Sequence, residues 1–146
     1  MTLVADDPAA IVLTEARRWL GTPFLHQADV RGVGVDCVMF LVRVYHAAGF
    51  IPDLDPRPYP RGWYLRDSRY LALLAPYVVP RHGTPEPADV ALFQIGRAPA
   101  HAAIVTAWPR IIHAFPDDGV VEDRADGNDL AERFVSAWTP RALGRA

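Results

Sequence analysis

Three residues of this sequence are of types that together perform acyl-transfer chemistry: Cys37, the single cysteine of the chain, and His101 and His113, two of its five histidines. Cys37 stands in "GVGVDCVMFLVRVYHAAGF", residues 32–50, where a glycine-punctuated loop gives way to a long apolar run. Two readings of the sulfur stand side by side. Free cysteine is among the most buried residue types and fills cores as a small hydrophobe. A thiol in the first turn of a helix instead sits at the positive end of the macrodipole, beside N–H groups with no intrahelical partner, and both favour the thiolate. Asp36 is placed to cap a helix that starts at Cys37. That start puts the sulfur in the first turn and aims the Cys37 N–H where an oxyanion could form.

A nucleophile of this kind requires a base, and the base requires a partner that orients it. His101 opens the segment HAAIVTAW and His113 lies inside RIIHAFP, with Trp108 and Pro109 near the turn between them. Imidazoles on two adjacent strands could hydrogen-bond to each other. With a side-chain period of two they share a face only if the loop has an odd number of residues, and simple rungs leave them at least a residue pair apart. A bulge or a strong twist is therefore required. Taken singly, His101 also reads as a polar residue at a strand edge, and His113 as a satisfied, semi-buried histidine.

The elements that must position these groups fall into two textures. Residues 8–20 carry Ile11, Val12, Ala16, Trp19 and Leu20 at helical spacing, and Gly21 followed by Thr22-Pro23 stops the pattern. Residues 21–35 read as a loop leading to the helix that Asp36 caps, which is apolar nearly all round and so a buried helix. Prolines 52, 56, 58 and 60 make an extended connector, and a third helix is expected over 66–74. Trp63 and Tyr64 suit a protein interface or ordinary aromatic packing. From Asp89 the runs ADVALFQI, HAAIVTAW, RIIHAFP and GVVEDR, then FVSAWTP after a short helical piece, read as an antiparallel meander. Helices followed by strands give an α+β fold in one domain, 1–146, with the central helix packed on one face of the sheet.

Bulk properties close off other classes. Apolar residues make up 51% and charged residues 22% of the 146, which argues for a packed core. The net charge of -2 offers no attraction for nucleic acid or an anionic membrane, and neither partner is expected. All fifteen basic residues are arginine, a bias that base composition explains. No apolar stretch approaches the roughly 20 residues of a membrane helix, and the amino terminus MTLVADDPAA lacks a secretory pattern. One cysteine makes no internal disulfide, no paired-ligand metal site and no redox couple with a resolving partner, so no metal or cofactor is expected.

The block WLGTPFLHQADVRGVGVDCVMF resembles the nucleophile region of the NlpC-type cysteine peptidases, where a helix, a Gly-Thr-Pro-Tyr-like turn and an Asp-Cys pair follow in order. PADVALFQIGRAPAHAAIV and then IIHAF resemble that family's Pro-Gly-Asp-Leu-x-x-Phe strand, its His-x-x-Ile strand and a third polar residue twelve positions later. The likeness runs over residues 10–139. It implies a papain-like fold and hydrolysis of amide bonds in peptidoglycan stem peptides, commonly from D-glutamate to diaminopimelate or lysine. Carried over by position, Cys37 attacks, His101 takes and returns the proton, and His113 orients His101. Many members place Ser after the cysteine and Tyr in the upstream turn to build the substrate end of the cleft. The matching residues here, beside Asp36, are Val38 and Phe24, which lack those hydroxyls, and His26, in the loop before the nucleophile, reads either as a residue lining the cleft or as a structural one. Asp36 can cap the helix or meet an amine.

The segments DPRPYPRGWYLRDSRYL and GVVEDRADGNDLAERFVSAWTPRAL look most like members encoded with phage tails and gene transfer agents. This resemblance implies tail-tip or hub partners and a place on a virion-like tail, assembled in the cytoplasm. A tail-tip protein of the same fold without catalysis, and a thiol acyltransferase or amidase on another substrate, are the alternative functions.

Overall fold

A computed structural model describes residues 7–61, 69–96, 98–127 and 130–144. Trp63, Tyr64 and the expected start of the third helix, 66–68, lie outside the described residues.

Helix α1 (Pro8–Arg18) begins where Asp7 accepts a hydrogen bond from the Ala9 N–H and Pro8 takes the first helical position, which has no use for a donor. It buries Ala9, Val12 and Ala16, and ends two residues short of the expected stop, ahead of Gly21, whose φ is 87°. The following loop holds a small hairpin of β1 (Asp29–Val30) and β2 (Gly34–Val35), which the glycine-rich sequence did not suggest. Helix α2 (Cys37–Ala47) follows at once. Its residues 38–42, with Val44 and Tyr45, are buried, as an all-round apolar helix requires. Beyond the connector come α3 (Arg69–Leu74), a single turn of 3-10 helix (Ala75–Tyr77) and β3 (Val78–Arg81).

The remaining strands are β4 (Val90–Ile95), β5 (Ala98–Ala107), β6 (Arg110–Phe115), β7 (Gly119–Arg124) and β8 (Phe134–Pro140). β4 to β7 form the expected meander. β8 does not extend it past β7: it returns to the far side of β4, and β3 pairs outside β8, so the antiparallel sheet has the order β3-β8-β4-β5-β6-β7. The reason is burial, because β4 presents Val90, Ala91, Leu92 and Phe93 fully buried and needs partners on both edges.

One face of the sheet, with Leu92, Ala102, Ile104, Ile112 and Ala114, shares a core with α1 and α2. Within it Trp19 meets Phe40 edge to face, and the Tyr45 hydroxyl donates to the Ala88 carbonyl at 2.8 Å. The other face carries a smaller cluster built on Ala91, Phe93, Ala103, Val105 and Ile111. No helix among the described residues is long and apolar enough to cross a membrane.

Gly119 ties the loop after α1 to β7. Its φ is 76°, a Cβ there would lie 2.5 Å from the Thr22 carbonyl oxygen, and next to it the Val120 N–H donates to that same oxygen. Gly119→Ala is expected to cost about 2 kcal/mol and to lower Tm by about 6 °C, read by thermal melting; an unchanged Tm would contradict this packing.

Candidate active site

Asp36 is the hub of the site. It is 2% exposed, and its Oδ1 accepts from the Met39 N–H at 2.9 Å, the N-cap bond the sequence predicts. Oδ2 accepts from the Gln27 N–H at 2.7 Å and from the Tyr59 hydroxyl at 2.6 Å. One carboxylate thus starts α2, holds the loop before it and holds the connector after it. No local pattern points to Tyr59, because its partner lies 23 residues away and only the folded connector brings them together. Burial, and then the bond to Asp36, push the Tyr59 phenol well above its ordinary range, with the Cys37 sulfur adding a smaller share.

Polar ties lock the connector over the start of α2. His26 Nε2 donates to the Tyr59 carbonyl at 3.1 Å, and the Tyr59 N–H donates to Gln27 Oε1 at 2.8 Å. Arg57 reaches the Gln27 carbonyl and Asp29, and Arg43 of α2 bridges Asp29 and Asp53.

Cys37 is half-buried at the first position of α2 and lines a cleft of about 420 Å³. His101 lines the same cleft from β5. So do Asp36, Phe24, His26 and Val38, the residues assigned to substrate, and so does Arg61, which sequence reasoning passed over. Ile95, Ala100 and Phe115 complete an apolar wall.

His113 meets His101 from the next strand: His101 Nε2 and His113 Nδ1 are 2.7 Å apart. The turn between the strands is the two-residue Trp108-Pro109, an even loop that would place the histidines on opposite faces. A bulge restores the parity. Ala107 pairs with Arg110 but Val105 with Ile111, so Thr106 is extra, and beyond it Ile104 pairs with Ile112. Continued in that register, His113 stands opposite Ala103, and His101 lies diagonally from it on the same face. That face is opposite to the one on which α2 packs, since Ala102 and Ile104 alternate with His101 and belong to the α2 core. The cleft therefore lies at the end of the sheet, where Ile95, Ala100 and Phe115 also reach it.

Both imidazoles are buried, His101 at 3% exposure and His113, expected to be semi-buried, at 0%. Burial, then the neighbouring His113, hold His101 down to about 3, so the resting imidazole is neutral, and an imidazolium there is stabilised only when it forms together with a neighbouring anion such as a thiolate. His113 is also lowered by burial, against the opposing pull of Asp123, whose Oδ2 is 3.0 Å from His113 Nε2. With Tyr59 and Arg61, Asp123 is a third residue that the sequence did not reveal. A half-buried thiol at a helix start, lining the same cleft as an imidazole braced by a second one, can form a thiolate and attack a carbonyl. Among the described residues no group of His, Cys, Asp and Glu could hold a metal ion.

The buried base makes stability depend on pH. Unfolded, His101 takes up its proton near its ordinary 6.5; folded, it does so only near about 3. The unfolded chain binds more protons between these values, so stability falls as pH drops through that window. Melts between pH 7 and 4 are expected to show a steeper loss for the wild type than for His101→Gln; parallel curves would contradict the burial of a neutral His101.

No protein-family profile and no curated protein matches the sequence. Solved structures do match. The chain superposes on an NlpC/P60 family protein from Bacillus cereus ATCC 10987 with a TM-score of 0.61 and 19% identity, over 88% of this chain and 39% of the other. It thus spans about two fifths of that protein. The NlpC/p60 domain of the peptidoglycan hydrolase SagA matches with a TM-score of 0.59 and 18% identity, over 88% of this chain and 96% of that domain. RipD from Mycobacterium tuberculosis, described as a non-catalytic NlpC/p60 domain protein adapted to peptidoglycan binding, matches with a TM-score of 0.51 and 13% identity, over 90% and 95%. At identities below 20% these likenesses speak for architecture: the chain has the α+β fold of the NlpC/P60 domains.

Proposed function

We propose that this protein is a thiol peptidase that hydrolyses amide bonds in peptidoglycan stem peptides, with the D-glutamyl to diaminopimelate or lysine bond as its target. The observation that carries the reading is the meeting, in one cleft, of a cysteine at the first turn of α2 with a buried neutral histidine that hydrogen-bonds a second histidine. The fold shared with a peptidoglycan hydrolase supports the substrate class.

In this reading α2 carries the nucleophile. The Cys37 thiol gives its proton to His101, and the thiolate attacks the scissile carbonyl carbon. The tetrahedral oxyanion forms beside the first turn of α2, whose dipole favours it. Collapse breaks the C–N bond, the His101 imidazolium protonates the leaving amine, and an acyl-enzyme remains. Water then gives a proton to His101 and attacks the thioester, releasing the acid and returning the proton to sulfur. His113 keeps the His101 ring in place throughout.

The recognition end differs from a simple amine receptor. Asp36 already accepts from Met39, Gln27 and Tyr59, and Phe24 and Val38 bring no hydroxyl. Among the described residues that line the cleft, Arg61 is the arginine, and it suits a stem-peptide carboxylate. The sequence likeness to tail-associated members supports a place on a phage-like tail tip, tested by mass spectrometry of purified particles. The same fold in RipD, described as non-catalytic, favours a second reading in which the cleft only binds peptidoglycan.

Digestion of purified peptidoglycan with mapping of the products by mass spectrometry separates the two readings. The wild type is expected to release stem-peptide fragments, and Cys37→Ala and His101→Ala to lose at least about a thousandfold in rate. Arg61→Ala is expected to raise KM several-fold and leave kcat nearly unchanged. Cleavage by Cys37→Ala, or none by the wild type, would refute the hydrolase.

A further inference from the structure

We propose that Asp123 is a positioning residue of this site: its carboxylate fixes the His113 hydrogen on Nε2 and thereby leaves Nδ1 of His101 bare to receive the Cys37 proton. The inference rests on the reading of His101 as the base, and extends the two-histidine arrangement by a third member on a third strand.

The argument follows from what each atom can do. A carboxylate only accepts, so His113 Nε2, 3.0 Å from Asp123 Oδ2, must carry a hydrogen. His113 is neutral through burial, so its Nδ1 is then bare. Two bare ring nitrogens do not approach to 2.7 Å, so the facing Nε2 of His101 carries a hydrogen and donates it. His101 is neutral too, and its second nitrogen, Nδ1, is therefore an acceptor. The opposite polarity is closed because Asp123 has no hydrogen to give.

The geometry that places Asp123 is built in. Its Oδ1 accepts from the Arg124 N–H at 2.8 Å, which holds the carboxylate in one orientation. His113 pairs with Val121 and Ile111 with Asp123, so Asp123 is the diagonal neighbour of His113 on the same face of the sheet. His101, His113 and Asp123 thus run diagonally across β5, β6 and β7. Among the described residues, few other charged groups lie near this chain. Asp118, in the turn before β7, acts on His113 at longer range, and the Arg124 guanidinium is engaged by Asp126. Arg110, opposite Arg124 in the ladder, lines with Asp123 and Glu122 a second, polar hollow, and the Asp123 side chain is 43% exposed. The anion is therefore available without the cost of full burial.

No proton leaves along this chain. When His101 becomes an imidazolium its Nε2–H leans further on His113, whose Nε2–H leans on Asp123, and the positive charge is stabilised through two hydrogen bonds. A carboxylate that merely tied β6 to β7 would leave the proton positions on His101 unaffected.

Long-range proton–nitrogen correlation NMR on the full chain labelled with 15N-histidine reads the tautomers directly and needs no substrate. At pH 7 the wild type is expected to carry Nε2–H on both His101 and His113. Asp123→Ala, folded by its amide spectrum, is expected to show His113 as a mixture of tautomers. Alkylation of Cys37 by iodoacetamide should slow about two- to threefold, because the partly exposed anion acts on His101 only through two hydrogen bonds. A wild-type His113 with hydrogen on Nδ1, or an Asp123→Ala protein with unaltered tautomers and alkylation, would overturn the proposal. The wild-type spectrum decides the matter if the variant does not fold. Failure of the wild type to cleave peptidoglycan would sink the hydrolase reading and leave this result standing.

Discussion

The buried carboxylate of Asp36 joins three parts of the chain that sequence keeps apart. By capping α2 it sets the residue at which the helix begins, and so the place of the Cys37 sulfur. By accepting from Gln27 and Tyr59 it draws the loop before the helix and the connector after it against that same turn. A carboxylate at 2% exposure is stable only when its lone pairs are met, and here three donors meet them. The walls of the cleft, the helix start and the sulfur are consequences of one satisfied anion.

On the opposite wall the organising constraint is also a buried polar group. Two imidazoles stripped of water must find hydrogen-bond partners, and they find each other and Asp123. That pairing demands one face of the sheet for both rings, which a regular hairpin with a two-residue turn does not provide. Thr106, bulged out of β5, supplies the missing half-period. The same burial disfavours an isolated imidazolium at His101, so a proton taken from the thiol is held there only as part of an ion pair with the thiolate.

The rest of the fold serves to hold these two walls in opposition. The apolar surround of α2 fixes it to the core between α1 and the sheet, with Tyr45 bonded to the Ala88 carbonyl at the foot of β4. β4 in turn is locked between β5 and β8. Arg43 and Arg57, each bridging two acidic residues, fasten the proline-rich connector where Arg61 reaches the cleft mouth. These ion pairs are partly exposed and individually weak, but they act on one short segment whose prolines already restrict it.

Local signals in the sequence determined the first two helices, the Asp36 cap of the second, the strands β4 to β7 of the meander and the position of Cys37 at a helix start. Each depends on residues within a few positions of one another: Asp36 before Cys37, Gly21 after Trp19, alternating apolar residues through β4 to β7. Tertiary structure alone decided the return of β8 to β4, the bulge at Thr106 and the partners Tyr59, Arg61 and Asp123. Those features arise between residues distant in sequence, where burial of a polar group or a strand edge selects the partner, and no local pattern encodes which distant side chain will meet that need. The chemistry could be suspected from residue types, but the direction of the hydrogen bonds that tune it exists only once three strands lie side by side.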